Sequence, residues 1–165
     1  MQQQTHNKAP LKILLADTEY SQYLALKQLL SVKNGFRAKV LWCGERDQYL
    51  NAMLTGIYDM VLMDYSVESL FILEHAIVEG CRTPVVMLAD QSSETLMMRA
   101  AKCGALGVLS RKQPEQHSLK YFLLSAEMHR HQGGDRQMKE EYVSDDTTVL
   151  ARNKLPLSPT SLVRH

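Results

Sequence analysis

"IYDMVLMDYSVES", Ile57 to Ser69, is the stretch that decides the fold. Met60, Val61, Leu62 and Met63 make an unbroken apolar run, the pattern of a strand buried on both faces, and the run ends on a carboxylate, Asp64. An aspartate at a strand end has an everyday use, which is to turn the chain. Its neighbours along the sequence give it a second one.

Upstream, "LKILLA" (Leu11 to Ala16) is another short apolar run that stops at an acid, Asp17. After it Tyr20, Tyr23, Leu24, Leu26, Leu29 and Leu30 recur at helical spacing, and Asn34 with Gly35 closes the helix. "FRAKVLWCG" reads as a second strand and "ERDQYLNAMLTG" as a second helix stopped by Gly56. Downstream of Asp64, "VESLFILEHAIVEG" is a third helix ended by Gly80, and "TPVVMLAD" is a strand with Pro84 in its first position, where a missing N–H is tolerated. A helix from about Ser92 to Lys102, a short strand "ALGVLS" and a fifth helix "PEQHSLKYFLLSAEMHRHQ" opened by Pro114 complete the pattern.

Strands and helices alternate five times. Each parallel crossover needs a helix, and right-handed crossovers distribute those helices over both faces of the sheet. The expected fold is therefore a doubly wound, five-stranded parallel α/β domain over residues 11–132. A polar segment, 1–10, precedes it, and 133–165 reads as a helix extension through "RQMKEEY" followed by a tail or linker. In such folds the ligand site lies at the carboxyl ends of the strands. Asp17 and Asp64 both fall there, and two carboxylates meeting at one point call for a hard divalent cation such as magnesium.

Other functions are excluded by what is missing. The 19 basic and 18 acidic residues leave a formal charge of +1, which gives no footprint for nucleic acid or an anionic membrane. The amino end lacks the charged and apolar regions of a signal peptide, and no apolar run approaches the roughly 18 residues of a membrane span, so a soluble cytoplasmic protein is expected. The first loop, "ADTEYSQ", has no glycine to let a pyrophosphate approach the backbone, and neither a P-loop nor a Gly-x-Ser-x-Gly elbow occurs. Cys43, Cys81 and Cys103 have no metal or redox spacing. His129 and His131 fall on different faces of a helix and make no metal pair. Trp42, Met97 and Met98 read as packing residues, and Leu119, Phe122, Leu123, Ala126 and Met128 as the apolar side of the fifth helix.

Taken together, "ILLADTEY", "YDMVLMDYS", "TPVVMLAD" and "KCGALGVLSRKQ" resemble the receiver domain of bacterial response regulators, with its flavodoxin-like fold. The resemblance implies that Asp64 accepts a phosphoryl group from a histidine kinase or phosphotransfer protein. It also implies a magnesium ion held by Asp17, Asp64, the backbone carbonyl of Ser66 and the position of Thr18. It implies output through the fourth helix, fifth strand and fifth helix, to a downstream protein effector or a second copy of the chain.

Five positions depart from the family pattern. Thr18 stands where a second acid is expected, with Glu19 next to it; Ala89 stands for a Ser or Thr; Arg111 stands for a lysine, with Lys112 adjacent; Val108 replaces the switch aromatic; and Glu68 replaces a proline. Losing a carboxylate weakens magnesium binding, and losing the hydroxyl removes the contact that turns phosphorylation into movement. The expectations are thus a receiver with an atypical site at Asp64, or a pseudo-receiver that binds or dimerises without phosphorylation. Neither is an enzyme acting on a separate substrate.

Overall fold

The computed structural model describes residues 9–31 and 36–141. Five strands, β1 Leu11–Ala16, β2 Ala38–Cys43, β3 Met60–Asp64, β4 Val85–Ala89 and β5 Gly107–Ser110, alternate with five helices, α1 Tyr20–Ser31, α2 Tyr49–Leu54, α3 Val67–Val78, α4 Glu94–Lys102 and α5 Gln116–Glu141. One turn of 3-10 helix, Arg46–Gln48, leads into α2. The chain divides into a unit Met1–His129, which contains the sheet, and a unit Arg130–His165. The expected helix stop at Asn34 and Gly35 lies outside the described residues, as do 1–8 and the tail from 142 onward.

All strand pairings are parallel and the order is β2-β1-β3-β4-β5. The central position of β3 explains its composition: every residue from Met60 to Asp64 is buried, and β4 is buried throughout as well. Each large apolar side chain so buried contributes about 1.5–3 kcal/mol. The edge strands β2 and β5 carry partly exposed residues instead. Leu26 and Leu30 of α1 pack with Leu119, Phe122, Leu123 and Ala126 of α5 on one face of the sheet. Tyr49 and Met53 of α2, Leu70 and Leu73 of α3 and Ala100 of α4 cover the other.

Several boundaries move for local reasons. The apolar stretch from Ile57 enters the ladder only at Met60: the Asp59 N–H donates to the Lys12 carbonyl at 2.8 Å, but the Lys12 N–H is taken by the Asp59 carboxylate, also at 2.8 Å, in place of a strand carbonyl. β4 begins at Val85, although Pro84 still contributes its carbonyl, which accepts the Val61 N–H at 2.9 Å.

Two packing expectations are corrected. Met97 and Met98 are exposed, Met98 by 56%, since α4 turns inward only a narrow stripe of Leu96, Ala100 and Cys103 at intervals of four and three. Met128 is 65% exposed, because two residues past Ala126 is a rotation of about 200° away from the buried stripe.

Helix ends α3 and α4 both turn through a glycine of positive φ, Gly80 at +96° and Gly104 at +103°. The two differ in their surroundings. A side chain at Gly80 would meet open space, whereas one at Gly104 would fall on Cδ1 of Ile77. Gly80→Ala therefore carries backbone strain alone, about 1 kcal/mol, and Gly104→Ala should lose about 1 kcal/mol more. Urea denaturation of the two variants measures the gap; equal losses would show that Ile77 simply moves aside.

Candidate functional site

The register of the sheet places the acids. Ala16 of β1 pairs with Met63 of β3, so the next residues, Asp17 and Asp64, stand level at the carboxyl edge. Ala89 of β4 pairs with Ser110 of β5, which brings Asp90 and Arg111 to the same edge. The chain is held there by backbone bonds from Asp17 N–H to the Cys43 carbonyl, 3.1 Å, from Tyr65 N–H to Leu88, 2.8 Å, and from Arg111 N–H to Ala89, 2.8 Å. An open pocket results, lined by Asp17, Thr18, Glu19, Asp64, Ala89 and Arg111 among others. Of the residues singled out in the sequence, Asp17, Thr18, Asp64, Ala89 and Arg111 thus come together. Ser66 sits just beyond the edge, where its hydroxyl accepts the Ser69 N–H at 3.0 Å and caps α3.

Both acids are buried, Asp17 to 1% exposure and Asp64 to 8%, and all four carboxylate oxygens already accept a hydrogen bond. Asp17 Oδ1 takes the Glu19 N–H at 2.9 Å, and its Oδ2 takes Nη2 of Arg111 at 2.6 Å. Asp64 Oδ1 accepts the Ser69 hydroxyl at 3.2 Å, itself bonded to Ser66 Oγ at 2.9 Å. Its Oδ2 is paired with Nη2 of Arg46 at 3.3 Å. Arg46 lies on the 3-10 turn after β2, an edge strand separated from β3 by β1. Nothing in the sequence around it marks it as a partner of Asp64. Ser69 did have a signal, the Ser-x-x-Ser spacing from the helix cap at Ser66.

The electrostatics follow from this arrangement. Each arginine meets its acid through one terminal nitrogen, and Nε of Arg46 and of Arg111 is buried without a hydrogen-bond partner among the described residues. Neither pair is the bidentate fork that makes arginine pairs strong. Burial consequently outweighs the attraction at Asp17: its pKa is raised above the ordinary carboxylate value by desolvation, against the lowering by the Glu19 N–H and Arg111. The Tyr49 hydroxyl, fully buried, faces Asp64 without meeting the geometry of a hydrogen bond, and burial together with that charge pushes its pKa up. Burial also raises the pKa of the Cys43 and Cys103 thiols, which works against the thiolate form.

Trp42 packs, as expected, but at the surface. The indole is 41% exposed, lies 5.0 Å edge-on from Tyr20 and stacks on Tyr23, yet its Nε1–H donates to the backbone carbonyl of Asp17 at 2.8 Å. It packs on the outside of the domain and props the loop that carries the acid.

These donors do not fit a magnesium ion well. The ion wants several oxygens with lone pairs directed at it and little positive charge nearby. Here Thr18 replaces one acid, and the two acids present are each neutralised by a guanidinium. At an effective dielectric of 20, each unit charge pair at 4 Å is worth about 4 kcal/mol, so a divalent ion beside both arginines would meet repulsion of the order of the attraction it gains. Among the described residues no group of three or more His, Cys, Asp or Glu side chains is placed to hold a metal.

No family model matches this chain, and no curated protein matches it. Solved structures do. The signal receiver domain of an HD domain-containing protein from Pseudomonas fluorescens covers 79% of this chain and 98% of its own at 21% identity, with a TM-score of 0.60. The receiver domain of the Francisella response regulator 1452 covers 74% and 98% at 18% identity and TM-score 0.59. The chemotaxis protein CheY4 of Vibrio cholerae covers 72% and 99% at 18% identity and TM-score 0.56. What this chain shares with them is the receiver, CheY-like fold. No helix among the described residues is long and apolar enough to cross a membrane.

The two ion pairs should differ in weight. Arg111 and Asp17 have side chains 16% and 2% exposed, against 38% and 11% for Arg46 and Asp64. Arg111→Ala leaves a buried carboxylate unpaired and should cost about 3 kcal/mol at neutral pH, whereas Arg46→Ala should cost about 1 kcal/mol. The Arg111→Ala deficit should also shrink with acid. Asp17, its folded pKa already raised, then rises further, so the native state keeps a proton that the unfolded chain has released. Stability is gained as pH falls through that raised value and lost as pH climbs past it. Denaturation midpoints of both variants from pH 7 toward pH 4 test this; a deficit constant across that range would mean that Asp17 finds another partner.

Proposed function

We propose that this chain is a signalling module of the receiver fold that works through protein contact and does not depend on phosphorylation of Asp64. The observation that carries this reading is the direction of Arg111. It occupies the place where the resemblance calls for a lysine that stabilises the transferring phosphoryl group, and its guanidinium is bound to Asp17 at 2.6 Å. Phosphoryl transfer to a carboxylate relies on cations disposed around the transferred oxygens. In this site Arg111 and Arg46 both serve the carboxylates instead.

The response to phosphorylation is missing its parts too. Ala89 has no hydroxyl to draw the loop inward, and Val108, 8% exposed, replaces the aromatic that would swing. Neither residue can couple chemistry at Asp64 to the surface. A surface suited to contact is nevertheless present on the elements expected to carry output. Met97 and Met98 on α4, Leu106 before β5, and Tyr121, Leu124 and Met128 on α5 are all exposed apolar side chains. The partner in this reading is a protein effector or a second copy of the chain.

One observation favours the phosphoacceptor reading. Asp64 lines a pocket open to solvent, with Lys112 on its wall, so a small donor or the phosphohistidine of a kinase or phosphotransfer protein has access to it. In neither reading does the domain turn over a separate substrate.

Incubation with acetyl phosphate and magnesium, followed by intact-mass measurement beside a working receiver and the Asp64→Asn variant, separates the two. The expected result is no adduct on a folded protein under conditions that label the control. A single added phosphoryl group that vanishes in Asp64→Asn would overturn the proposal.

A further inference from the structure

We propose that Arg46 is a resident cation: its guanidinium takes the role of a divalent metal beside Asp64 and, with Arg111 on Asp17, makes the acid centre self-neutralised and indifferent to magnesium. The proposal rests on the reading of Asp17 and Asp64 as the receiver site, and it concerns the metal where the preceding reading concerns the phosphoryl group.

Three features support it. The formal charges of the two ion pairs, Arg46 with Asp64 and Arg111 with Asp17, cancel, so each acid already has a fixed counter-charge in the place a metal would supply one. All four carboxylate oxygens have donors, two of them backbone N–H or hydroxyl and two guanidinium, so a metal must displace at least one of these. The arginines also arrive from opposite edges of the sheet, Arg46 from the turn after β2 and Arg111 from the end of β5, and each is bonded to the acid on the strand farther from its own.

The chain contains its own reporter. Trp42 is its single tryptophan, and its indole N–H is bonded to the carbonyl of Asp17, so an ion that binds Asp17 perturbs the fluorescence of that indole. Titration of the protein with Mg2+ and with Mn2+, read by Trp42 emission and by the thermal midpoint, is the test. Four forms are compared: the natural sequence, Thr18→Asp, Arg46→Ala, and Thr18→Asp combined with Arg46→Ala.

The natural protein should give no saturable response at 10 mM Mg2+. Thr18→Asp alone should bind weakly, and the double variant at least tenfold more tightly than Thr18→Asp, because removal of the guanidinium gives Asp64 back to the metal. Arg46→Gln in the same background keeps a polar, hydrogen-bonding side chain, shorter than arginine and without its charge, and should give the same gain; circular dichroism confirms that each form is folded. Two results overturn the proposal: saturable magnesium binding by the natural protein that Asp64→Asn abolishes, or equal affinity of Thr18→Asp with and without Arg46. The failures are separable. Magnesium binding without acetyl phosphate labelling defeats this inference and leaves the preceding reading standing, while labelling that proceeds in EDTA does the reverse.

Discussion

Two carboxylates buried level with each other at the carboxyl edge of a parallel sheet are the constraint to which the rest of the structure answers. Asp17 and Asp64 are placed there by the pairing of Ala16 with Met63, and neither can leave without undoing β1 or β3. A buried charge must be paired or must neutralise. The fold meets this demand with an arginine for each acid, a backbone N–H for Asp17 and a hydroxyl for Asp64. The raised pKa of Asp17 shows that the compensation is incomplete there. Such a pair adds little to stability, so the retained acids are better understood as fixing the geometry of the edge.

The sheet and its helices were legible because their causes are local. β3 and β4 read as strands from unbroken apolar runs, and burial on both faces is what such runs mean; Asp17 and Asp64, at the ends of the runs of β1 and β3, followed from the same reading. Arg46 was not legible. Its partner lies on β3, two strands away in the order β2-β1-β3, and only the assembled sheet shows that a long side chain on the turn after β2 spans β1 to reach it. The methionines failed for a related reason. Met97 and Met98 are apolar enough for a core, but α4 offers the core a stripe only one residue wide, and the width of a stripe is set by the neighbours of the helix and not by its own sequence.

The exposed apolar residues divide by cause. Tyr20, Tyr23 and Trp42 cover one another, and the indole is tied to the Asp17 carbonyl, so their exposure is accounted for by a structural duty beside the site. Phe71 and Val78 on α3 and Leu124 and Met128 on α5 are exposed without a ring contact of that kind among the described residues, and Tyr121, edge-on to Phe122 at 5.6 Å, still leaves 57% of its surface open. Burying them would add apolar contact without any rearrangement of the core stripes, since Leu70, Leu73 and Ala76 of α3 and Leu119, Phe122 and Ala126 of α5 already face inward. Contact with a partner is therefore available to the domain as folded.

Availability without rearrangement bears on how such a domain can signal. A ligand shifts a conformational equilibrium only to the extent that it interacts differently with the two states. In the receiver scheme the difference is made by a phosphoryl group that a hydroxyl on the fourth strand and an aromatic on the fifth sense by moving; Ala89 and Val108 have no such contact to offer. Meanwhile the cations that would meet the phosphoryl group are engaged by the acids at 2.6 and 3.3 Å, which ties the turn after β2 and the end of β5 to β1 and β3 in a single arrangement. In the reading proposed above, a site built in this way would work as a clasp that holds one surface in place. Information would then pass through whether the partner is present and how tightly it binds, not through a change of shape begun at Asp64.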